Sequence, residues 1–184
     1  MRFAQRHDRV FIAITGAFVA LLLLALGPSA SADASACSKY GNKGPAQLTK
    51  KHARNAVTCL INRERGGRAN LHQDGRLIEA ARKHSSRMAK SGCFSHTCPG
   101  ESGLQGRLER VRYLINGLSR WAYGENIAWA RRSSGTPRQI VNAWMRSSGH
   151  RANILSKNFR DIGVGFHNRG SKGYYTADFG LRRG

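Results

Sequence analysis

The sequence predicts one domain that mixes α-helix with β-sheet, because two kinds of hydrophobic period occur in separate parts of it. Helical spacing comes first. Between Leu48 and Arg65, Ala53, Ala56, Val57, Leu60 and Ile61 recur every three or four residues with Lys and Arg between them, and Gly66-Gly67 follows. Between Leu71 and Lys90, Leu77, Ile78, Ala81, His84, Ser85 and Met88 share a second stripe. Asp74 is the expected N-cap of that helix and Ser91-Gly92 its stop. Residues 93–120 read as irregular, with a short helix near Leu104–Leu114. A further helix opens at Thr136-Pro137-Arg138-Gln139: a capping hydroxyl, a proline in the first turn and a Gln able to complete a capping box. Ile140, Val141, Trp144 and Met145 form its apolar face. Strand spacing comes last. Ile162, Val164 and Phe166 alternate within Asp161–Phe166, Asn168–Gly173 reads as a turn, and Tyr174–Phe179 returns as the second arm of a hairpin.

The first 32 residues have the three parts of an export signal. Arg2, Arg6 and Arg9 are basic, an apolar run extends from Val10 to Leu26, and Ala30-Ser31-Ala32 offers small residues for cleavage. An uncleaved anchor is the rival reading, but the run is short for a spanning helix. Residues 33–47 read as an N-terminal arm and 48–184 as the domain. Without residues 1–32 the chain has 28 Lys and Arg against 9 Asp and Glu, a net charge of +19. Such a surface attracts polyanions in a salt-dependent way. Outside a cell these are anionic wall polymers, lipid headgroups or acidic glycans; export argues against a specific nucleic-acid partner. Trp121, Trp129 and Trp144 read as core residues, and no basic stacking platform is evident.

Four cysteines, Cys37, Cys59, Cys93 and Cys98, follow the export segment. An even number in an exported chain points to two disulfides with three possible pairings. The short Cys93–Cys98 loop favours a bridge there, which leaves Cys37 to pair with Cys59. The absence of a C-x-x-C pair disfavours a four-thiolate zinc site.

The candidate chemistry lies at His96 in Phe94-Ser95-His96, Glu125 in Gly124-Glu125-Asn126, and His150 in Ser148-Gly149-His150. Each adjoins a glycine or a short bridged loop, where side chains face clefts. Two imidazoles and a carboxylate can bind zinc with an open position, or hold a polar ligand and move protons without metal. His84 reads as packed in its helix. Ser147 and Ser148 lie close to His150 in sequence, but no G-x-S-x-G elbow occurs, so a serine nucleophile is not indicated.

Taken together these stretches resemble the bacterial branch of the CAP superfamily, the cysteine-rich secretory, antigen 5 and pathogenesis-related 1 proteins, also called SCP domains. The resemblance runs through Leu60-Ile61-Asn62, His84-Ser85 with Met88-Ala89, Phe94-Ser95-His96, Gly124-Glu125-Asn126-Ile127-Ala128, Trp144-Met145, Gly149-His150-Arg151 with Asn153-Ile154-Leu155, Ile162-Gly163-Val164-Gly165 and Asp178-Phe179-Gly180. It implies an α+β fold, a three-layer α-β-α sandwich. It also implies a cavity of two His and two Glu that binds zinc or another divalent cation in some members. His96 and Glu125 match two of these. Ser147 stands where the second Glu is expected and Tyr174 where one branch has its second His, with His150 as a substitute. The implied ligand cavity is therefore His96, Glu125, Ser147 and His150, with His96, His150 and Glu125 a possible metal set and no cofactor required. The resulting expectation is a secreted binding module, free or held at the cell wall, for a wall, lipid or divalent-ion ligand. A His/Glu or metal-dependent hydrolase is the alternative. The sequence does not reveal the oligomeric state.

Overall fold

The computed structural model describes residues 29–184, with side chains from residue 35 onward. Most of the export segment expected at 1–32 lies outside the described residues. Among the described residues, no helix is long and apolar enough to cross a membrane. The chain forms helices α1 (Ser29–Tyr40), α2 (Lys50–Glu64), α3 (Gly75–Ser91), α4 (Leu104–Arg110), α5 (Pro137–Arg146) and α6 (Ser148–Leu155). Its strands are β1 (His72–Gln73), β2 (Arg120–Arg131), β3 (Asp161–Arg169) and β4 (Lys172–Arg183). The sheet order is β1-β3-β4-β2, with β1 parallel to β3 and the other pairs antiparallel.

The helix boundaries follow local chemistry. Thr49 caps α2 by accepting from the His52 N–H at 3.1 Å. Asp74 caps α3, taking the Arg76 N–H at 2.8 Å, and Gly92 ends that helix with φ +72°. Thr136 accepts from the Gln139 N–H at 3.3 Å to open α5. Each cap satisfies a backbone donor that the helix itself leaves free. The hairpin is longer and tighter than its sequence pattern suggests: Arg169 pairs with Lys172, and only Gly170-Ser171 makes the turn. The segment read as an arm carries α1, which lies on α2 with Cys37 bridged to Cys59. The second bridge is Cys93–Cys98.

β2 departs most from the sequence reading, which assigned no strand there. Its odd residues Trp121, Tyr123, Glu125, Ile127 and Trp129 face one way, while Ala122, Gly124, Asn126, Ala128 and Ala130 face the other. Small and polar residues on one face and a carboxylate on the other hide the usual alternation. Glu125 is therefore in mid-strand, not at an element boundary.

The sheet separates two helical layers. On one side Ile162, Val164, Phe166, Tyr175, Ala177 and Phe179 pack with α2, α5 and α6 in the main core. Trp144 is fully buried there, and its indole N–H donates to the Ile127 carbonyl at 3.0 Å. On the other side α3 lies almost on the backbone of β3. A Cβ on Gly163 would sit 2.0 Å from the Leu77 carbonyl carbon, and one on Gly165 would sit 2.1 Å from the Ala81 oxygen. These two glycines bring the middle of α3 down onto the sheet, and with it His84 and Ser85.

Candidate functional site

A buried polar network occupies the space between α3, α4 and the end of the sheet at β2. Two imidazole–carboxylate pairs make its frame. His96 Nδ1 is 2.7 Å from Glu125 Oε1, and His84 Nδ1 is 2.7 Å from Glu101 Oε1. Arg107 joins them. One guanidinium nitrogen donates to Glu125 Oε2; the other donates to the His96 carbonyl at 2.7 Å and lies 3.9 Å from Glu101. The Cys93–Cys98 loop supplies or holds both outer partners. It carries His96, and the Cys98 N–H donates to Glu101 at 2.9 Å.

Beneath the network, Asp178 of β4 stands directly opposite Glu125 of β2. Asp178 is fully buried, and neither of its oxygens finds a donor among groups that carry a proton at neutral pH. Burial, reinforced by the negative charge of Glu125, pushes its proton affinity well above the ordinary aspartate range. Asp178 thus favours its neutral form beside an ionised Glu125. Glu125 goes the other way: burial opposes its ionisation, but the His96 hydrogen bond and the charge of Arg107 prevail, and it stays ionised below the ordinary glutamate range. Nearby, the Ser85 hydroxyl donates to Thr176 Oγ1 at 2.8 Å, which anchors α3 to β4.

The two histidines differ in exposure. The His84 side chain is 0% exposed, whereas that of His96 is 58% exposed. Burial lowers the proton affinity of His84 despite its carboxylate neighbours. The hydrogen bond to Glu125 raises that of His96. His96 thus presents an accessible imidazole edge backed by an ionised carboxylate.

The structure brings together only part of the sequence-predicted set. His96 and Glu125 touch. His150 lies in the first turn of α6, near enough that burial and then the His96 charge lower its proton affinity. Its carbonyl, not its ring, is tied to β2, accepting from Asn126 Nδ2 at 3.0 Å. Ser147 is the half-buried junction of α5 and α6, and its N–H donates to the Trp144 carbonyl. Tyr174 is buried beside Met88, Cys98 and Ile127. The sequence reading missed His84 as a site residue, along with Glu101, Arg107 and Asp178. One signal was available: a histidine on an apolar stripe must find a polar partner once buried.

Arg107 donates to Glu125 and lies 3.9 Å from Glu101, and each histidine Nδ1 is engaged with one of these carboxylates, which leaves the Nε2 edge of each ring outside those pairs. Among the described residues no group of three or more His, Cys, Asp or Glu is disposed to hold a metal ion. The expected set of His96, His150 and Glu125 does not converge in that way.

An α-β-α sandwich whose mid-strand glutamate meets a histidine from a disulfide-closed loop defines the class as a CAP-type domain. The chain belongs to the cysteine-rich secretory protein family, CAP, whose profile matches residues 60–179. It is 38% identical over 117 residues to the uncharacterized protein YkwD of Bacillus subtilis, covering 62% of this chain and 42% of that one. The fold is similar to that of an extracellular SCP-domain protein from Bacillus anthracis, with 29% identity and a TM-score of 0.59 over 73% of this chain and 41% of that one. It is also similar to an outer surface protein from Borrelia burgdorferi, with 17% identity and a TM-score of 0.63 over 74% of this chain and 97% of that one. The chain spans less than half the length of the Bacillus subtilis relative it matches.

Proposed function

We propose that this protein is a non-enzymatic extracellular binding module for an anionic wall polymer or lipid headgroup. The observation that carries this reading is Arg107, a permanent cation that bonds Glu125 and lies 3.9 Å from Glu101. In this reading the network is a rigid support for the exposed His96. Among the described residues no serine hydroxyl is bonded to His96, and all four cysteines are bridged. The net charge of +21 for the whole chain supplies long-range attraction to polyanions. An extracellular setting is supported by the export-type N-terminus, the two disulfides and the extracellular character of the Bacillus anthracis relative.

Sedimentation of the protein with purified anionic wall polymer or anionic vesicles tests this reading. Binding should weaken steeply between low and physiological salt. A flat salt response overturns the electrostatic basis.

One feature favours a hydrolase as a second reading: His96 has its Nδ1 held by an ionised carboxylate and its other edge exposed, the disposition of a general base. That reading requires turnover of a peptide or ester that disappears in Glu125→Gln. No turnover across a broad substrate screen leaves the binding module.

A further inference from the structure

The domain exposes four large hydrophobic side chains among its described residues: Phe94, Ile115, Trp121 and Trp129, at 48%, 44%, 52% and 42%. Three are aromatic, and those three border one strand. The register of β2 against β4 runs without a bulge from Arg120↔Arg183 to Arg131↔Lys172. Trp121, Tyr123, Glu125, Ile127 and Trp129 therefore share one face, and the two tryptophans lie roughly 26 Å apart along it at the usual rise of a strand. Each end is an aromatic pair. Trp121 stacks on Tyr123, with centroids 5.7 Å apart and planes at 6°. Phe94 meets Trp129 edge-on at 6.4 Å. His96 stands between the ends.

The charges around this ledge are unbalanced. On the aromatic face Arg131 pairs across the ladder with Lys172 at one end, and Arg182 stands opposite Trp121 at the other. Like charges directly opposite one another, as at Arg131 and Lys172, destabilise a sheet. None of these three is in an ion pair with an acid among the described residues. Lys172 Nζ lies 3.7 Å above the Trp129 ring, so cation and aromatic face are presented together. A cavity of 490 Å³ opens beside it, lined by Arg131, Arg169, Lys172 and Tyr174.

We propose that the aromatic face of β2 binds a carboxylate-bearing glycan strand, with sugar rings stacked at Trp121/Tyr123 and at Trp129/Phe94, its carboxylates on Arg182 at one end and on Arg131 and Lys172 at the other, and His96 facing the middle of the strand. This rests on the reading of the domain as an extracellular binder of anionic polymers and specifies the polymer. Exposed rigid aromatics match the C–H faces of sugar rings, while bare cations at both ends match anionic substituents. An acidic peptide adding to the strand edge fits less well, because α6 is tied over the middle of that edge. Asn153 Nδ2 donates to the Glu125 carbonyl at 3.2 Å, and Asn126 Nδ2 to the His150 carbonyl at 3.0 Å.

The test is titration of the whole folded protein, followed by tryptophan fluorescence and calorimetry, with a short oligogalacturonate, a neutral chito-oligosaccharide of equal length, polyglutamate and polyphosphate. The oligogalacturonate should quench fluorescence. Trp121→Ala and Trp129→Ala should each weaken its binding by about tenfold, as loss of an aromatic anchor does. Trp→Phe variants should retain most of the affinity, and polyphosphate binding should be unchanged in all of them. Trp121→Ala, at the end of the strand, carries the test if Trp129→Ala fails to fold. Unchanged oligogalacturonate affinity in the alanine variants overturns the proposal. So does equal affinity for the neutral oligosaccharide, or for polyglutamate with the same tryptophan dependence. Wild-type protein that binds polyphosphate but not oligogalacturonate sinks this proposal and leaves the electrostatic reading intact. Protein that binds neither sinks both.

Discussion

His84 and His96 make the same contact and come to opposite ends. Each places Nδ1 2.7 Å from a glutamate, and Arg107 approaches both glutamates. Yet His84 holds a proton less readily than a free imidazole and His96 more readily. The difference is solvent. His84 lies under α4 and the bridged loop with no accessible surface, so the cost of a buried charge outweighs its carboxylate partners. His96 shares the carboxylate of Glu125 but keeps more than half its side chain in water. A hydrogen-bonded histidine–glutamate pair is therefore a structural strut in one place and a chemically available group in the other.

The sharpest way to break this comparison is to remove what the two pairs share. Arg107→Met leaves two buried carboxylates without their cation and should destabilise the fold by about 3–5 kcal/mol in chemical denaturation. If it folds, the His84 proton affinity should rise, because the positive charge that opposes its protonation is gone. Next come the histidines themselves. His84→Ala should cost about 2–4 kcal/mol, from a cavity and an orphaned Glu101. His96→Ala should cost less than about 1 kcal/mol, since the partner removed is largely exposed and the buried Glu125 keeps its bond to Arg107. Equal costs in the two variants would show that burial does not separate them.

The pH dependence of stability sharpens the comparison further. His84 has a lowered folded-state proton affinity, so its contribution is present above its ordinary pKa of 6.5 and lost as pH falls through the folded value. Asp178 has the opposite sign: its affinity is raised, so its contribution is present below 3.8 and lost as pH rises through its folded value. Denaturation from pH 7 downward should show a slope that His84→Gln reduces by up to about 1.4 kcal/mol per pH unit. The smallest effect is local. Glu125→Gln should lower the NMR titration midpoint of His96 toward its ordinary 6.5, because the carboxylate that raises it is gone. An unmoved midpoint would assign the shift to another group.

Much of the fold was legible because its signals are local. Asp74, Thr136 and Pro137 mark helix starts within a few residues of themselves, and Ile162, Val164 and Phe166 mark a strand facing a core. β2 was hidden because alanine, glycine and asparagine cover one face and a glutamate interrupts the other. Trp121 and Trp129 read as core residues, but only Trp144 is one. At a sheet edge, nothing in the sequence says whether a helix covers the face.

The site was legible in halves. His96 and Glu125 stand out beside a bridged loop and a glycine, and the resemblance to the CAP proteins implied one cavity for both, but their direct contact is a result of the fold. Glu101, Arg107 and Asp178 did not stand out, because none carries a local signal of its own, and His84 offered only its place on an apolar stripe; their partners come from other elements, as Asp178 of β4 stands opposite Glu125 of β2. By itself the sequence determined the mixed class, the helix caps, the hairpin, the basic surface and the cysteines available for bridging. Only the tertiary structure decided which histidine is dry and which is wet, which cation stands between the carboxylates, and which tryptophans remain outside. Those outcomes depend on burial, and burial is set by what α3, α4 and the Cys93–Cys98 loop cover once Gly163 and Gly165 let the helix settle on the sheet.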